Sequence, residues 1–159
     1  MTVDQSLSID LHDEAATARL AVALAERTRQ GDVIGLQGPL GSGKTCLARS
    51  FIRARCGGEE EVPSPTFTLV EIYVPLVGPP IWHFDLYRLE RPEDAYELGI
   101  EEAFAEGISL IEWPERLGAL LPCDHLALEL AHGEAEGERR ARLLPSAGWA
   151  ERLKGLPHA

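Results

Sequence analysis

The stretch Gly38-Pro39-Leu40-Gly41-Ser42-Gly43-Lys44-Thr45 constrains this chain more than any other part of it. It satisfies the pattern G-x-x-x-x-G-K-[ST], in which glycines let successive backbone N–H groups curl around a phosphate chain. Asp32 to Gln37, just before it, reads as a short buried strand, and Cys46 to Ile52, just after it, as the first turns of a helix. The motif's chemistry requires that order of strand, loop and helix, because the helix N-terminus aims its positive dipole end at the bound charge. Roles follow for a nucleotide-phosphate site. Gly38, Leu40, Gly41, Ser42 and Gly43 form the cradle, Lys44 reaches the β- and γ-phosphates, and the Thr45 hydroxyl ligates Mg²⁺.

At 159 residues the chain suits one compact domain over 1–159, and 45% hydrophobic with 26% charged residues is a globular composition. No apolar run has the length of a bilayer span, and acids stand near the start where a signal peptide carries bases, so a soluble, cytoplasmic protein away from membranes is expected. Three scattered cysteines, Cys46, Cys56 and Cys123, indicate neither a disulfide framework nor a zinc site. A formal net charge of −11 argues against gripping nucleic acid unaided, since that binding is driven by Lys and Arg. Lys44 and Lys154 are the only lysines, and there is no asparagine. The Asn-Lys-x-Asp element that reads guanine is therefore absent, which points to ATP.

Asp13 to Arg29 has helical spacing of apolar residues, with acids at its start. Gly57-Gly58 ends the loop's helix, and Val62-Pro63-Ser64-Pro65-Thr66 is too proline-rich for a helix or central strand. Phe67 to Val74 and Ile81 to Phe84 read as strands that can form a hairpin across Gly78-Pro79-Pro80. Glu93 to Phe104 reads as one or two short helices broken at Gly99. Ile108 to Ile111 is a buried strand, and Pro114 to Leu120 a short helix with Pro in its first turn. Leu126 to Leu130 and Arg140 to Leu144 suggest a closing strand pair, and Trp149 to Leu156 a last short helix. Strands alternating with helices imply an α/β fold, a three-layer P-loop NTPase sandwich with a largely parallel central sheet.

A phosphate loop alone transfers nothing; it needs a carboxylate near the metal. Asp85 and Glu112 each end a predicted buried strand, where a side chain at the carboxyl end points into the ligand crevice. There either acid can hold Mg²⁺, hold its water or orient an attacking water, although a solvated acid past a strand is the plainer reading of each one alone. Ser64-Pro65-Thr66 lies where a mobile segment could sense a γ-phosphate, or is a plain surface turn. Trp113 either packs against the site or fills core. Arg139, Arg140 and Arg142 could neutralise phosphate, contact an acidic partner or line a solvated strand face.

Taken in order, Gly38 to Thr45, Pro63 to Glu71, His83-Phe84-Asp85-Leu86-Tyr87-Arg88-Leu89, Glu97-Leu98-Gly99-Ile100 and Ile111-Glu112-Trp113-Pro114 resemble the bacterial TsaE (YjeE) ATPases of threonylcarbamoyladenosine biosynthesis, over about residues 13–145. The resemblance implies a Mg²⁺-dependent ATPase, slow alone and activated by partners, that supports N6-threonylcarbamoylation of A37 in tRNAs reading codons that begin with A. It implies TsaB and TsaD as partners, with the transfer itself belonging to TsaD and tRNA met only through the complex. It assigns Lys44 to the phosphates, Thr45 and Glu112 to Mg²⁺, Asp85 to metal-linked catalysis, and Ser64, Pro65 and Thr66 to a switch. Trp113, Glu14 and, by a looser match, Arg139 would lie near the nucleotide. Three residues depart from the family pattern: Pro39 for Asp, Ser42 for Ala and Cys46 for Thr. Pro39 removes one N–H where phosphate contact is least expected, which leaves binding intact and the loop stiffer.

Two readings of other classes compete on residues alone. A small-metabolite kinase would carry an arginine-bearing lid, for which Arg88-Leu89-Glu90-Arg91 is slight. A nucleotide-gated binding module would need no hydrolysis.

Overall fold

The computed structural model describes residues 6–156. Its elements in chain order are β1 (Leu7–Leu11), α1 (Glu14–Arg27), β2 (Val33–Gln37), α2 (Lys44–Cys56), β3 (Val70–Tyr73), β4 (Ile81–Asp85), α3 (Ile100–Glu106), β5 (Ile108–Glu112), β6 (Leu126–His132), β7 (Arg139–Pro145) and α4 (Ala147–Ala150). Two 3₁₀ segments, Pro92–Leu98 and Pro114–Leu120, complete the set. The strands form one seven-stranded sheet in the order β1-β7-β6-β2-β5-β4-β3.

The sheet is parallel where the expectation matters. Strands β6, β2, β5 and β4 run parallel at its centre, and β1, β7 and β3 add antiparallel margins. Central parallel strands are covered on both faces and so read as apolar runs; the margins need only hairpins to join them. Side chains alternate between the faces along each strand. Ile34, Leu36, Leu110 and Leu128 pack with Leu20 and Leu24 of α1 and Leu47, Phe51 and Ile52 of α2. On the other face Val33, Phe84 and Ile111 meet Ile100, Ala103 and Leu117. Two apolar layers flank one sheet, giving the three layers expected. Each large aliphatic or aromatic side chain buried this way contributes about 1.5–3 kcal/mol.

Local chemistry sets the ends. Asp13 caps α1 by accepting the Ala16 amide at 2.8 Å, which satisfies one of the donors a helix start leaves open. Gly57 closes α2, its amide donating to Arg53 O. Gly99 separates the first 3₁₀ segment from α3, at the break expected.

Three boundaries differ from the sequence reading. Strand β1 was not anticipated, although Leu7, Ile9 and Leu11 carry the alternation of a marginal strand; its pairing with β7 is a long-range event. Strand β3 begins at Val70 and not at Phe67, because Leu69 takes a left-handed conformation (φ 69°) and its amide closes a turn onto Pro65 O. The closing helix spans only Ala147–Ala150, and turns follow it over 151–155. Trp149, Leu153 and Leu156 still reach the core beside α1. Arg152 ties that segment down, pairing with Asp32 through 2.6 and 2.9 Å contacts and lying 3.9 Å over the Trp149 ring.

Candidate functional site: a phosphate-loop cavity

Strands β2, β4 and β5 end side by side, with Asp85 opposite Glu112 and Leu36 opposite Glu112 in register. The loop 38–43 leaves β2 at that edge and α2 starts at Lys44. A cavity of about 440 Å³ opens there, lined by Glu14, Leu40, Gly41, Gly43, Lys44, Thr45, Cys46, Ser64, Thr66, Asp85, Tyr87, Arg88, Glu112, Trp113 and Arg139. Most of the residues singled out from sequence meet here. Gly38, Ser42 and Pro65 do not line it; they sit behind the surface residues of their segments.

The loop's glycines have identifiable reasons. A Cβ on Gly38 would collide with Leu130 O, and the residue has φ +148°. Gly43 has φ 102° as the N-cap of α2 and supplies no capping side chain, so the first amides of that helix have no side-chain cap. Gly43, Lys44, Thr45 and Cys46 all border the cavity. A helix start with open donors at a cavity suits an anion such as phosphate. Arg139 braces the loop, donating to Ser42 O and Gly41 O at 3.1 Å and to Glu138 O at 3.0 Å. The arginine cluster therefore divides. Arg139 faces the loop, whereas Arg140 and Arg142 lie on the solvated side of β7, paired with Asp10 and Glu129.

Two acidic networks converge on the cavity. In the first, the Thr45 hydroxyl donates to Glu112 (2.9 Å to Oε1, 3.2 Å to Oε2), and His83 Nε2 lies 2.7 Å from Glu112 Oε2. His83 and Glu112 are both buried. In the second, Thr66 Oγ1 contacts Ser64 Oγ at 2.7 Å and donates to Asp85 Oδ2 at 3.2 Å, while Asp85 Oδ1 accepts the Tyr87 amide at 3.1 Å. The 63–69 segment is thereby connected to a strand-end carboxylate through a hydroxyl. A hydroxyl and a carboxylate in contact at the first turn of α2 suit Mg²⁺, which takes one or two carboxylates and fills its remaining positions with phosphate oxygens and water. Among the described residues no three His, Cys, Asp or Glu side chains cluster as an all-protein metal cage.

Lys44 is held beside this network. Its Nζ donates to Gly38 O at 2.5 Å and lies 3.6 Å from the Trp113 ring centroid. Burial lowers its pKa below the ordinary lysine range, against the opposing pull of Glu112, Glu115 and Asp85. Trp113 adopts a left-handed conformation (φ 61°) that turns its ring toward Lys44 and Tyr87. It is half-buried, serving both as a cavity wall and as packing on the second core. Burial, reinforced by Glu14, raises the Cys46 thiol's pKa.

Sequence reasoning missed Tyr87, Arg88 and Cys46 as cavity-lining residues and His83 as the buried partner of Glu112. The signal for His83 was present: it stands two residues before Asp85 on a strand and so shares its face. Arg88 lies within the His83 to Leu89 motif, where sequence alone suggests no more than a lid fragment.

Comparison with known proteins points to one family. The family model described as "Threonylcarbamoyl adenosine biosynthesis protein TsaE" matches residues 11–141. Proteins named tRNA threonylcarbamoyladenosine biosynthesis protein TsaE are similar along most of the chain. The one from Nostoc sp. is 38% identical over 151 residues, covering 91% of this chain and 90% of its own length. The one from Rickettsia felis is 43% identical over 111 residues, 70% of this chain and 64% of that protein, so the match spans just under two thirds of that relative. The crystal structure of YdiB from Bacillus subtilis superposes with a TM-score of 0.78 at 25% identity, covering 96% of this chain and 94% of that one. No helix among the described residues is long and apolar enough to cross a membrane. With the family model matching residues 11–141 and a relative 38% identical over 91% of the chain, the chain belongs to the TsaE family.

Proposed function

We propose that this chain is a single-domain, Mg²⁺-dependent ATPase that supports N6-threonylcarbamoylation of A37 in tRNAs reading codons beginning with A. It would act in the cytoplasm with TsaB and TsaD and meet tRNA only through them. The carrying observation is the convergence of Lys44, the Thr45–Glu112 pair and the Thr66–Asp85 pair on one cavity at the carboxyl ends of parallel strands.

In this reading the open amides of the loop and α2 hold the phosphates, and Lys44 exchanges the Gly38 carbonyl for them. Thr45 and Glu112 would hold Mg²⁺, which supplies charge neutralisation at the phosphate oxygens. Asp85 orients the attacking water, and Ser64 and Thr66, on a segment with Pro65 as its stiff element, report whether the γ-phosphate is present. Glu14, Trp113 and Arg139 border the nucleotide. Slow turnover alone, with activation by the partners, fits a site whose sensing segment lies on the surface. The acidic surface also fits, because a chain of net charge −11 meets tRNA poorly without basic partners.

Reconstituted tRNA modification with TsaB and TsaD, run with and without this chain and with ATP or a non-hydrolysable analogue, tests the reading. Multiple rounds of modification should require both the chain and hydrolysable ATP. Equal yields without the chain would refute it.

A further inference from the structure

Three cationic side chains line the cavity: Lys44, Arg88 and Arg139. Two are already engaged. Lys44 donates to Gly38 O over the Trp113 ring, and Arg139 is held by three carbonyls around the loop. Arg88 makes no hydrogen bond or ion pair among the described residues; its guanidinium lies 4.7 Å over the ring of Phe67. Phe67 is 82% exposed, so burial is not what holds its ring in place. It directly follows Thr66, whose hydroxyl is on Asp85. Arg88 sits three residues beyond Asp85, on the turn leaving β4. A guanidinium without a hydrogen bond or ion pair is thus parked on the 63–69 segment, in the wall of the cavity that the loop also lines.

Building on the ATPase reading above, we infer that Arg88 is a catalytic arginine supplied in cis, stored on Phe67 until it moves onto the γ-phosphate. In the reaction the water oxygen bonds to the γ-phosphorus and the bond to the β,γ-bridging oxygen breaks. That oxygen leaves with the electron pair as part of ADP, and the water's protons pass to the released phosphate and solvent. Charge on the transferring oxygens is what a planar guanidinium fork stabilises, and an arginine placed there raises phosphoryl-transfer rates by orders of magnitude. A contact with the 63–69 segment makes its delivery depend on the same residues that reach Asp85.

Arg88→Ala, Arg88→Lys and Phe67→Leu test this, and since Arg88 and Phe67 are exposed the fold is not at stake. Equilibrium binding of ADP, with and without aluminium fluoride as a mimic of the transferring phosphoryl group, is measured beside single-turnover hydrolysis. In Arg88→Ala, ADP affinity should stay within about threefold, while hydrolysis and the affinity gain from aluminium fluoride fall by roughly tenfold or more. Lysine should restore only part of that gain, lacking the fork. Phe67→Leu, which frees the guanidinium from an exposed cation–π contact, should bind the mimic about two- to fivefold more tightly. Wild-type hydrolysis and mimic affinity in Arg88→Ala would overturn the inference and leave the ATPase reading standing. Failure of the wild-type chain to bind nucleotide at all would overturn both.

Discussion

Glu112 offers a separation of stability from function that can be worked from its contacts. It is 3% exposed and takes hydrogen bonds from Thr45 and from His83, whose exposure is 0%. Truncation in Glu112→Ala removes both acceptors. Thr45 borders the cavity and can turn to water, but His83 Nε2 cannot, and its Nδ1 already lacks a partner. One fully buried unsatisfied group costs about 1–3 kcal/mol, and the lost side-chain volume brings the total to about 2–4 kcal/mol. At about 2.1 cal/mol/K per residue, a chain of this length should then melt about 6–12 °C lower. Glu112→Gln differs. Its amide oxygen still accepts from Thr45 and its NH₂ can donate to the other His83 tautomer, so stability should stay within about 1 kcal/mol. Yet the charge that would hold Mg²⁺ is gone, and single-turnover hydrolysis should fall about 100-fold or more. Urea unfolding of both variants, with and without Mg²⁺ and ATP, reads the two effects apart. Wild type at 100 times its Kd gains about 2.7 kcal/mol from ligand. The Mg²⁺-dependent part of that gain should vanish in both variants. A Glu112→Gln protein that is several kcal/mol less stable, or that keeps the full Mg²⁺ increment, would refute the reasoning.

Removal of the Arg152 side chain in Arg152→Met leaves Asp32 largely buried without its partner. Because Arg152 is partly exposed, the loss should be about 2–3 kcal/mol, below the range for fully buried pairs; Asp32→Asn in that background should add little, as a double-mutant cycle by thermal unfolding would show. Lys44 has a lowered pKa before phosphate arrives and regains an anionic partner when it does. Between the lowered pKa and the ordinary one, ATP binding should therefore take up a proton, with no such uptake well below that window, and calorimetry in buffers of different ionisation enthalpy measures it. Exposed Cys123 should alkylate before Cys46 and Cys56, whose thiols burial holds protonated at neutral pH; bound ATP should slow Cys46 further, as peptide mass mapping would reveal.

The parts legible in sequence share a local cause. The loop, its flanking strand and helix, the Gly99 break and the two strand-end acids all follow from spacing and backbone preference within a few residues. What escaped notice depended on distant partners. Strand β1 exists because β7 offers it an edge. His83 is a ligand of Glu112 because β4 and β5 are neighbours in register. The turns that follow the closing helix carry Arg152 onto Asp32, far upstream.

On its own, the sequence determined a glycine-rich loop from Gly38 to Thr45 between a strand and a helix start, the arrangement that suits a phosphate, since glycine freedom and helix polarity act over adjacent residues. The order β6-β2-β5-β4 decided what faces that loop. By placing β4 and β5 beside β2, it brought Asp85, Glu112 and His83 to one edge, and the turn after β4 brought Arg88 to the cavity and over the Phe67 ring. Strand order is a property of long-range packing on both faces of the sheet, and no spacing within a single segment encodes it.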